Sequence, residues 1–217
     1  SDVCSSDLSS VYIAPVWNYV DSNWGNDTKQ TGSLWGGIAG YSYKQEGGWY
    51  FLGEFSYMAG ILKGSAGDDP TQEYVTEARG GYNLSASLGS KCSITPFLGL
   101  GSYIFNQSIA GPKDFNSYFW YAPIGLTFAY EISRDWSLEF LALGAPTFGG
   151  RWRIASWKDA PTSALWKGEV SAVYTPFPAF EVTITPFVKG WAYKASGDLI
   201  EQRNTYFGLK MLFGYSF

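Results

Sequence analysis

The C-terminal residues 206–217 alternate strictly. Phe207, Leu209, Met211, Phe213, Tyr215 and Phe217 are apolar or aromatic, whereas Tyr206, Gly208, Lys210, Leu212, Gly214 and Ser216 are on balance smaller or more polar. A period of two puts successive side chains on opposite faces of an extended chain, so the segment is a β-strand with one greasy face and one mixed face. Similar segments recur along the whole chain, and each needs strand partners for its backbone.

Ten such segments are legible: 11–20, 33–43, 49–62, 72–86, 92–105, 116–131, 136–148, 165–175, 180–194 and 204–217. Residues 72–86 show the pattern well, with Tyr74, Thr76, Ala78, Gly80, Tyr82 and Leu84 opposed to Glu73, Val75, Glu77, Arg79 and Asn83. Turn signals rich in Gly, Pro, Asn, Asp and Ser separate the segments. The connections alternate between short (44–48, 87–91, 133–135, 176–179) and longer (21–32, 64–70, 106–115, 149–164, 196–203). The longest, 149–164, carries Trp152 and Trp157 and is placed to fold over one mouth of a closed sheet. No composition shift marks an interdomain linker.

Aromatic residues make up 19% of the 217 residues, and there are 26 glycines. No run of eighteen apolar residues exists, so no segment reads as a transmembrane helix. The formal charge of −4 is dispersed, with no basic stripe of the kind that binds nucleic acid.

These features resemble the small outer-membrane β-barrels of bacteria. The likeness is carried by the terminal strand ending on Phe217, by Thr95-Pro-Phe-Leu-Gly-Leu-Gly101, by Pro123-Ile-Gly-Leu126 and by the strand patterns of 94–103 and 182–189. It covers most of residues 9–217. It implies an all-β fold, a ten-stranded antiparallel up-and-down transmembrane β-barrel in the outer membrane of a Gram-negative envelope, surrounded by outer-membrane lipid. It also implies a partner, the barrel-assembly machinery, reading Phe213, Tyr215 and Phe217 of the last strand. With a periplasmic C-terminus, the short connections fall on the periplasmic side and the longer ones outside. No extracellular ligand is legible. The competing reading is a soluble lipocalin-like or avidin-like ligand-binding barrel, with the same aromatics forming its core.

In a membrane barrel the apolar face meets lipid, and Trp and Tyr gather at its two interfaces. Trp49, Trp120, Trp136, Trp166, Tyr82, Tyr118, Tyr130, Tyr174 and Tyr215 lie near segment ends on that face. Out of phase with them are Glu54, Glu77, Arg79, Glu139, Lys167, Glu169, Lys189 and Lys210. Lys or Arg facing lipid at the midplane costs about 2–4 kcal/mol, so this set belongs in the lumen. Its balanced signs allow complete pairing, with Glu54 the expected cross-strand partner of Arg79. Tyr103, Phe119, Tyr121 and Trp191 share the inward face. Two readings follow: a plug of salt bridges and rings, or a narrow porin-like pore. The bulky rings favour the plug.

The chain contains no histidine, so no Ser–His or Asp–His arrangement can be built. Enzymes among the barrels it resembles generally rely on histidine. No catalytic, cofactor-binding or metal-binding residue is assigned, and no cofactor is expected. Asp68-Asp69 and Asp21…Asp27 read as solvated loop charge. Residues 1–8 resemble a translated sequencing adapter and are set apart from a barrel domain at 9–217, which leaves Cys92 without Cys4 as a disulfide partner. The resulting expectation is a non-enzymatic barrel with a structural or surface-interaction role, with a narrow channel as the alternative.

Overall fold

A computed structural model describes residues 8–25, 28–64, 67–84, 91–108, 114–153, 157–159, 163–193 and 201–217. The adapter-like residues 1–7, Cys4, Asp27 and the connections around 85–90, 109–113 and 194–200 lie outside them. The alternating segments become β1 (Leu8–Trp24), β2 (Thr28–Lys44), β3 (Trp49–Gly64), β4 (Gly67–Tyr82), β5 (Cys92–Ser108) and β6 (Asp114–Tyr121). They continue as β7 (Ile124–Glu131), β8 (Trp136–Arg153), β9 (Trp157–Asp159), β10 (Ala164–Phe177), β11 (Phe180–Tyr193) and β12 (Gln202–Ser216). Neighbours pair antiparallel, and β1 pairs with β12 from Ser10↔Ser216 to Trp24↔Gln202, which closes the sheet. β6 and β7 share one place between β5 and β8, and β9 is a short addition to β8. The result is the expected ten-stranded antiparallel barrel.

Sequence reading took 116–131 as one strand. The chain breaks at Ala122-Pro123 because Pro has no N–H for the ladder. The register against β5 nevertheless continues, with Gly101↔Tyr121 before the break and Leu98↔Ile124 after it.

Closure satisfies the backbone without leaving an edge, the condition for a sheet in hydrocarbon. The outward face is apolar around the circumference, with Ile13, Trp35, Leu98 and Ile124 more than 60% exposed. A soluble barrel would bury these residues, and here they point away from the lumen. Near the end that carries the chain termini, Trp49 lies 5.8 Å from Tyr82 and Trp136 stacks on Tyr174 at 4.6 Å. Toward the far end, Tyr57 meets Tyr74 at 4.9 Å and Trp17 meets Trp35 at 6.2 Å. The two aromatic levels match the interfacial belts expected of a membrane barrel.

The alternation of short and long connections is not what the structure has. Much of the sequence read as far-end loop is strand: β1 runs to Trp24, β2 starts at Thr28, β4 at Gly67, and β8 runs to Arg153 before pairing with β9. Asp69, expected in a solvated loop, is fully buried in the lumen. Above the bilayer the outward positions are free to be polar, so alternation of hydrophobicity fades there although the pleat continues. Strand length carries the same message. β1 has 17 residues and β8 has 18, whereas about 9–11 cross a bilayer when tilted.

One bulge redirects a wall. Tyr118 pairs with Arg151 but Trp120 pairs with Phe148, so Gly149 and Gly150 together face Phe119. Gly149 has φ of +59°, the conformation that a glycine-led bulge requires. The extra residue inverts the alternation of β8: Phe148 points outward, and Trp152 is buried in the lumen.

Candidate functional site in the lumen

Three layers fill the bore. The first, nearest the termini, is charged. Glu54 on β3 is the register partner of Glu77 on β4, so two carboxylates sit side by side on the inward face. Like charges placed directly opposite repel, and each acid finds a different partner. Glu77 takes Arg79 Nε through Oε1 and the Tyr121 hydroxyl through Oε2, the latter at 2.6 Å. Glu54 accepts from the Tyr12 hydroxyl at 2.9 Å. The expected Glu54–Arg79 ion pair is therefore replaced by Glu77–Arg79, two residues apart on one strand, and Arg79 also lies 4.9 Å from the Phe97 ring. Gly101 makes room for this: a Cβ there would sit 2.2 Å from the Tyr121 ring.

Glu169 is shared by two lysines, with Lys167 Nζ at 2.7 Å and Lys210 Nζ at 2.9 Å. Lys189 on β11 pairs with Glu73 on β4, across the bore rather than along a wall. Glu139 faces Lys44 loosely at 3.9 Å near the terminal end. Glu73, Lys44 and Glu181, which accepts from the Thr183 hydroxyl at 2.8 Å, join the eight residues singled out from sequence. Glu73 and Glu181 had the inward parity that would have placed them there, and Lys44 was read as part of a turn.

The second layer is aromatic. Tyr103 stacks on Phe119 with centroids 4.9 Å apart, and Phe105 and Trp191 pack edge-on at 5.8 Å. The Tyr103 and Tyr206 hydroxyls lie 3.0 Å apart, and Trp191 Nε1 donates to Tyr103 at 3.0 Å. These rings come from β5, β6, β11 and β12, and Lys189 Nζ sits 4.5 Å from the Tyr206 ring beneath them. Tyr103, Phe105, Phe115, Phe119, Trp191 and Tyr206 are all essentially inaccessible. Tyr206, Phe105 and Phe115 were not singled out from sequence; inward parity marked Tyr206 and Phe105, whereas Phe115 was read as the end of a connection.

The third layer, at the far end, is built from amides. Trp24 Nε1 donates to Gln30 at 3.2 Å, Gln107 donates to Gln30 at 2.7 Å, and Gln30 donates to Asp69. The residues expected to carry an assembly signal lie elsewhere: Phe213, Tyr215 and Phe217 all point outward on the β12 side, and Phe217 N donates to Ser9 O at 2.9 Å.

Two cavities lie in the charged layer. One of about 250 Å³ opens at the terminal end, with Glu54, Lys167, Glu169 and Lys210 on its floor. The other, of about 60 Å³, lies beneath the aromatic layer and has the same four residues on its opposite side.

No protein-family model matches this sequence, and no curated protein matches it. Solved structures match in fold. The outer membrane protease OmpT from Escherichia coli superposes with a TM-score of 0.60 at 10% identity, over 100% of this chain and 99% of its own. The transport unit of the Escherichia coli autotransporter AIDA-I matches with a TM-score of 0.49 at 12% identity, over 96% and 90% of the two chains. The attachment invasion locus protein Ail of Yersinia pestis matches with a TM-score of 0.42 at 13% identity, over 97% and 99%. The superposition on the 0.60 structure shows that this chain has the fold of an outer-membrane β-barrel.

Proposed function

We propose that this protein is a non-enzymatic barrel of the bacterial outer membrane, with a structural or surface-interaction role and a closed lumen. The observation that carries the reading is the aromatic layer. Tyr103, Phe119, Trp191 and Tyr206 meet across the bore, and hydrogen bonds tie Tyr103 to Trp191 and Tyr206. A bore of ten strands is only slightly wider than the eight-stranded one that side chains fill. The Lys189–Glu73 pair braces opposite walls just below. The absence of histidine from the chain supports the non-enzymatic part of the reading.

The outward apolar face and its two aromatic levels fit outer-membrane lipid as the surrounding medium. The terminal strand, with Phe213, Tyr215 and Phe217 on its lipid side, fits recognition by the barrel-assembly machinery. Planar-bilayer recording of the purified protein tests the closed lumen: no stable current is expected. Removing the plug by Tyr103→Ala, Trp191→Ala and Tyr206→Ala together is expected to open one. Steady ohmic current through the unmodified protein in independent preparations would favour the narrow-channel alternative.

A further inference from the structure

The terminal-end cavity has an unusual distribution of charge. Its lining holds four acids and four bases, and one of the bases, Arg79, is already paired with Glu77. The charges are not evenly matched within it. Glu169 is held by both Lys167 and Lys210, which leaves a net positive pole on that side of the floor. Glu54 has only the Tyr12 hydroxyl within bonding distance among the described residues, which leaves a net negative pole. Both poles are open to the cavity: Glu54 is half-buried, and the Lys167 side chain keeps 16% of its exposure.

A lone anion would meet the Glu54 carboxylate, and a lone cation the two lysines, in a confined space where unpaired charge is costly. A molecule carrying both signs complements both poles and adds no net charge. The volume of about 250 Å³ lies below the ~300–1,000 Å³ of pockets for drug-sized ligands, which restricts the occupant to a small molecule. We propose that the cavity binds a small zwitterion of the amino-acid class, its carboxylate held by Lys167 and Lys210 and its ammonium by Glu54. Access is from the end that carries the chain termini. The site does not depend on whether the bore above it conducts.

Saturation-transfer NMR on the barrel refolded in deuterated detergent tests this. The probes are glycine, β-alanine and γ-aminobutyrate, which separate their charges by increasing lengths, with acetate and methylamine as the single charges. At least one zwitterion is expected to bind saturably where acetate and methylamine do not. Glu54→Gln and Lys167→Met are each expected to weaken that binding by about tenfold or more, the effect of losing one charged contact. Ser42→Trp is expected to abolish binding by filling the mouth with every charge left in place, so the test survives misfolding of a charge variant. Folding is checked by gel mobility before boiling. The proposal is overturned if no zwitterion binds a folded barrel, if acetate or methylamine alone binds as well, or if binding persists in all three variants.

Discussion

Arg79 is 6% exposed, with Glu77 on its Nε and the Phe97 ring 4.9 Å from its guanidinium. A charge this deep survives only while its partner is present. Arg79→Met leaves Glu77 without its cation and is expected to cost about 3–5 kcal/mol. The double change Arg79→Met, Glu77→Gln is expected to recover most of that loss. Arg79→Met with Glu54→Gln should recover much less. Urea unfolding in micelles gives the three values, and equal recovery from both double variants would show that the ion pair is misassigned. The alternation told which way Arg79 points but not whom it meets. Register decides that, because Glu54 lies opposite Glu77 while Leu52 lies opposite Arg79.

At the scale of single elements, β8 depends on one backbone conformation. Gly149 at φ +59° inserts the bulge that turns Trp152 into the lumen. Gly149→Val puts a branched side chain in a left-handed conformation, at a cost of about 1–3 kcal/mol. The damage should be local: faster protease cleavage within 150–160, with the gel mobility of the folded barrel unchanged. Resistance equal to that of the parent would show that the bulge tolerates side chains. Strand β12 poses a different question. The Phe217 ring is 70% exposed on the outward face, so its removal takes little packing from the folded barrel. Deleting Phe217 is therefore expected to lower surface levels in cells sharply while leaving the urea midpoint of refolded protein almost unchanged. Normal surface levels of the deletion variant would sink the proposed role in assembly.

For the whole molecule, closure from β1 to β12 leaves no edge in the ten-stranded wall, and the bore is cross-braced by Lys189–Glu73 and by the Tyr103–Trp191 bond. Unfolding must break many backbone pairs together. The unboiled protein is expected to run differently from the boiled protein on SDS gels, and the triple plug variant is expected to convert at a lower temperature. Identical migration before and after boiling, together with solubility in the absence of detergent, would contradict a membrane barrel. The period of two by itself determined that the chain is all-β, how many strands close and, within the segments it marked, which side chains face in, because the pleat assigns faces locally. It did not determine strand length. Beyond the lipid slab the outward positions lose their hydrophobic signature, so the far ends of β1, β2, β4 and β8 resembled loops. Nor did it determine which inward groups meet. Glu73 and Lys189 are 116 positions apart and pair only because closure brings β4 and β11 to opposite walls of one narrow bore. Contacts across a barrel depend on register, bulges and curvature, which belong to the closed sheet and not to any one strand.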